Sequence, residues 1–92
     1  MRHLVLAAAL LAVLAPGVAR SSQAEAEKCA SGLPAPAKLI FDAVRHAPAQ
    51  GVPLRDQIRQ QTVSLVRAGR IERAHAKPAA QEAGVCLKMA QK

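Results

Sequence analysis

The sequence predicts an all-α fold: a small three-helix bundle that follows a cleaved signal peptide and is closed by one disulfide. Three observations carry this prediction. Apolar residues recur at helical spacing in three stretches punctuated by Pro and Gly. No stretch alternates β-branched and polar residues as a half-buried strand would. Two cysteines, Cys29 and Cys86, stand near the two ends of the chain beyond the leader. The chain divides into a signal peptide over residues 1–19, a polar lead and turn over residues 20–34, and a helical domain over residues 35–92.

The leader comes first. Arg2 and His3 form a short basic head, and Leu4 to Ala15 is an unbroken run of 12 apolar residues. Pro16-Gly17 then breaks any helix, and Gly17-Val18-Ala19 supplies the small residues of a cleavage site. Cleavage is expected after Ala19, with an alternative after Ala24. An uncleaved anchor fits less well, because twelve helical residues span only about 18 Å of a hydrocarbon core of about 30 Å. The mature form is therefore expected to carry no transmembrane anchor. Cys29 follows Glu27-Lys28, unlike the small apolar residues that precede a lipidated cysteine.

Loss of 19 of the 92 residues leaves 73. A chain of that size buries only about 60% of its unfolded surface, so its core is marginal. The apolar fraction of 51% includes the leader and many alanines, and Phe41 is the sole aromatic residue. The formal charge is +7; removing Arg2 leaves 12 Lys and Arg against 6 Asp and Glu, a balance of +6. Such a balance favours anionic surfaces.

A domain this small needs a staple. Two cysteines in an exported chain allow one intramolecular pairing, Cys29 with Cys86, enclosing 56 residues. Two cysteines are too few for a structural zinc site, and His46 and His75 lie at no ligand spacing from them. The cysteines are too far apart for a CxxC redox pair. A nucleophilic thiol would need a His partner, for which there is no local signature.

Arg20 to Lys28 is polar and reads as a frayed lead or a weak helical turn before Cys29. Cys29 to Pro36, with Gly32 and two prolines, reads as a turn or extended segment. The first helix is expected from Ala35 to His46, with Pro36 in its first turn. Its stripe is Leu39, Ile40, Ala43 and Val44, with Phe41 at the margin and Lys38, Asp42, Arg45 and His46 opposite. The second helix is expected from Pro53 to Ala68, with Gly69 as its cap. Leu54, Ile58 and Leu65 form its buried stripe, and Val63 points away from it. The third is expected from Pro78 to Gln91, Pro78 either starting it or kinking a longer helix that begins near Glu72. Ala79, Ala83, Cys86, Leu87 and Ala90 share one face, with Val85 and Met89 as a second stripe. Gly84 would let another backbone come near.

Cys29-Ala30-Ser31-Gly32-Leu33-Pro34, Leu39-Ile40-Phe41-Asp42-Ala43-Val44 and Ala83-Gly84-Val85-Cys86-Leu87 resemble stretches of small exported two-cysteine bacterial helical proteins of unknown function. The resemblance implies a periplasmic or secreted helical protein and supplies no activity or site residues.

No catalytic, metal or cofactor set is legible. Ser31, Ser64, His46, His75 and Asp42 occur without a nucleophile elbow, Gly-rich loop or paired carboxylates. A non-enzymatic exported protein that binds an envelope component or an acidic protein is the reading that fits, with Arg55, Arg59, Arg67, Arg70 and Arg73 as its anionic-partner contacts. A periplasmic stress or chaperone-like protein is the alternative. Specific nucleic-acid binding is not expected, because no aromatic residues interleave the arginines.

Overall fold

A computed structural model describes residues 17–48 and 51–91, with side chains from Ser22 onward. The apolar run of the leader therefore lies outside the described residues. Those described form four helices and no strand: α1 (Gly17–Ser31), α2 (Ala35–His46), α3 (Leu54–Arg67) and α4 (Arg73–Ala90). The all-α expectation holds, but the described residues form four helices, not three.

The additional helix is α1. The segment from Arg20 is not a frayed lead: it is helical without interruption to Ser31, and both expected cleavage sites fall within the helix. Its Ala, Glu, Gln and Lys residues are strong helix formers. From Ser22 onward it carries no large apolar side chain, and its buried face there is Ala26 and Ala30, one turn apart, with half-buried Cys29 beside them. The turn to α2 is correspondingly short. The Gly32 N–H donates to the Cys29 carbonyl (3.2 Å), and the Leu33 N–H to the Ala30 carbonyl (3.0 Å).

Helix α2 has the predicted bounds. Pro34 precedes it in an extended conformation and Pro36 sits in its first turn. Its buried face differs from the expected one, being Ala37, Ile40, Phe41 and Val44. These stand at i, i+3, i+4 and i+7, so Phe41 belongs to the core and Leu39 is only half-buried. Two apolar arcs overlap on this helix, and its packing against α4 and α3 decides between them.

Helix α3 begins after Pro53 and closes with a Schellman motif. The Arg70 N–H donates to the Leu65 carbonyl (2.9 Å) and the Gly69 N–H to that of Val66 (3.0 Å). Gly69 has φ +76°, a left-handed conformation that residues with a Cβ resist. Ile71, just beyond the motif, is buried. Only Thr62 and Leu65 of α3 are fully buried; Leu54 and Ile58 are half-buried. The Thr62 hydroxyl donates to the Ile58 carbonyl at 2.7 Å.

Helix α4 runs through Pro78 and starts five residues earlier than Pro78, the longer of the two anticipated forms. It is the hub, packing against each of the other three helices. Ala79, Ala83, Gly84, Cys86 and Leu87 are its buried residues. Cys29 of α1 is joined to Cys86 of α4, with their Cα atoms 5.5 Å apart. Cys86 and Ile40 are the largest fully buried side chains.

The bridge spans 57 positions of sequence. Chain-entropy reasoning assigns a loop of that size about 4 kcal/mol. Reduction should therefore lower the urea midpoint steeply, and equal midpoints for oxidised and reduced protein would contradict this. Gly69→Ala should cost about 1 kcal/mol in the same assay. No atom lies within 4 Å of the added Cβ, so the cost is backbone conformation alone.

Candidate functional site

The five arginines are all exposed, and the fold divides them into two groups. Arg55 and Arg59, one turn apart on α3, line an open groove between α3 and α4. Arg67 ends α3, Arg70 lies in the link, and Arg73 begins α4, so these three mark the corner where the chain turns. Among the described residues the ion pairs are Arg45–Glu27 and His75–Glu72, and neither uses any of the five.

The groove has a volume of about 920 Å³. Its apolar wall comes from Leu54 and Ile58 on α3 and from Ala76, Ala80 and Gly84 on α4. Ala76 and Ala80, half-buried and one turn apart, form its shallow floor, which Ile58 closes over the buried Gly84. Val63 and Val85 also line it and are 42% and 60% exposed. Lys77 and Lys88 join the two arginines as its charged residues, and no Asp or Glu contributes to the lining. Gly84 does not receive a neighbouring backbone as the sequence suggested. A Cβ there would instead meet Cδ1 of Ile58 at 3.5 Å, ordinary contact with a side chain.

The sequence did not mark Lys77 and Lys88 as site residues. They belong to one polar stripe of α4, eleven residues or about three turns apart. That stripe appears only when the helix starts at Arg73, because a helix starting at Pro78 omits Lys77.

A second, smaller concavity of about 490 Å³ lies between α1 and α2. The Arg45 guanidinium spans it, 3.4 Å from the Glu27 carboxylate through Nη2 and 5.4 Å from the centroid of the Phe41 ring. Ser31 and His46 also line it, and both are committed to their own helices. The Ser31 hydroxyl donates to the Lys28 carbonyl (2.7 Å), and the His46 Nδ1–H to the Asp42 carbonyl (2.7 Å). The Asp42 and His46 side chains thus form no acid–base pair. Among the described residues no three His, Cys, Asp or Glu side chains cluster as a metal site would require.

Compared with protein-family models, with curated proteins and with solved structures, the chain matches none. What the fold and groove define is a disulfide-closed, all-helical protein with a cation-lined apolar groove along its hub helix.

Because the added methyl would rest on Ile58, Gly84→Ala should be accommodated. It should raise unfolding stability by about 0.5–1 kcal/mol through lower helix entropy cost, read from the urea midpoint.

Proposed function

We propose that the protein is a small exported, non-catalytic protein that binds an anionic partner in the cell envelope. The observation that carries this reading is the α3–α4 groove, where Arg55, Arg59, Lys77 and Lys88 surround an apolar wall without a single acidic side chain in the lining. Surface cations of one sign, in no ion pair among the described residues, draw anionic partners and reject cationic ones. A disulfide is compatible with an oxidising compartment. No helix among the described residues is long and apolar enough to cross a membrane. The apolar leader and the resemblance to exported two-cysteine proteins support export, to the periplasm or beyond the cell.

A chaperone-like role is the second reading. The exposure of Val63, Val85 and Met89 favours it, since these residues offer apolar surface to an unfolded client.

The experiment is retention of an envelope extract on the immobilised oxidised protein. Binding should fall at least severalfold between about 50 mM and about 300 mM NaCl as screening shortens the reach of the arginines. Retention indifferent to salt, or no retention, counts against the anionic-partner reading. Suppression of client aggregation with no salt dependence would favour the second.

A further inference from the structure

The groove makes the partner's chemistry more specific. We propose that it docks an acidic amphipathic helix of another protein, a deepening that rests on the anionic-partner reading above. Three features select that occupant.

The first is shape. Ala76 and Ala80 stand one turn apart along the floor with short side chains, and Gly84 continues the line beneath Ile58. A floor of this kind lets a helix approach closely and receive its neighbour's apolar ridge. Ile58 and the exposed Val63 and Val85 supply the apolar contact that such a ridge would cover.

The second is the distribution of charge. Lys77 and Lys88 are eleven residues apart on α4, about 16 Å along the axis. Arg55 and Arg59 stand on the facing helix. A fatty acid or a single phosphate carries its charge at one end and could satisfy only part of this set. A helix with an apolar stripe flanked by Glu or Asp carries negative charge on both sides along several turns, and so meets cations on both walls at once.

The third is what the sign of the lining excludes. A second copy of this chain, at formal charge +7, would be repelled on approach. A bilayer surface is flat and cannot reach the floor of a concave groove.

The test uses the full oxidised chain and a labelled designed peptide of about 18 residues, long enough for five turns. The peptide has Leu at i, i+3, i+4 and i+7 and Glu on both flanks. Controls are a scrambled peptide of equal composition, phosphatidylglycerol vesicles and dodecanoate. Anisotropy should show salt-sensitive binding of the ordered peptide, with Kd on the order of 10 μM, and much poorer binding of the scramble. Arg59→Glu with Lys77→Glu, both exposed, should weaken it about tenfold or more, against about twofold or less for Arg70→Glu with Arg73→Glu, which makes the same change in net charge outside the groove. Equal losses from the two pairs, or equal binding of the scramble, would overturn the groove as the site while leaving general anion binding standing. Vesicles or dodecanoate bound in place of the peptide, with the loss confined to the groove pair, would overturn the helix as occupant. No salt-sensitive binding of any anionic probe would overturn this proposal and the broader reading together.

Discussion

The structure depends on one covalent constraint, the bond from Cys29 on α1 to Cys86 on α4. Five of the twelve residues in the hydrophobic core are alanines. An alanine removes little apolar area from water, and stabilisation scales with that area. From Ser22 onward helix α1 buries only Ala26, Ala30 and part of Cys29, a small apolar surface with which to hold these turns. The bridge lowers the entropy of the unfolded chain and holds α1 against the hub. Cys86 can serve because it is buried among small neighbours, where its sulfur also fills volume as an apolar side chain would.

The small side chains have a second effect, on the other side of α4. Ala79, Ala83 and Cys86 allow close approach inside the fold, while Ala76, Ala80 and Gly84 leave α4 low on the side that meets α3. Helix α3 buries only Thr62 and Leu65 fully and rests Ile58 over Gly84. The contact between α3 and α4 is consequently incomplete, and the groove is what it leaves open. The backbone that carries its cations is helical, whereas their exposed side chains are left free to reorient.

The elements differ in how legible they were. Helix α2 had its start marked by Pro34 and Pro36, and its bounds were readable. The α3 terminus was readable because Gly69 has a local conformational reason to be there. The inward face of α2 was not readable, since Leu39 and Phe41 offer two apolar arcs and only the neighbours choose one. Helix α1 was missed because its stripe is made of alanines, which hydrophobic periodicity barely registers. The start of α4 was ambiguous because Pro78 costs a backbone hydrogen bond that packing further along the helix offsets. Of the candidate site, the arginines were visible as a cationic segment. Their separation into a groove pair and a corner trio was not, nor was the part played by Lys77 and Lys88.

By itself the sequence determined what is local or unique: helical composition throughout, the stops at Pro and Gly, and the pairing of the only two cysteines. Each follows from backbone sterics or from there being one possible partner. Only the tertiary structure decided which face of each helix is inside, that residues 20–31 belong to a fourth helix, and that Arg55 and Arg59 share a groove with lysines some twenty to thirty positions away. Those outcomes depend on how helices with small, nearly interchangeable side chains settle against one another. That choice turns on long-range packing, and no single stretch of this chain contains it.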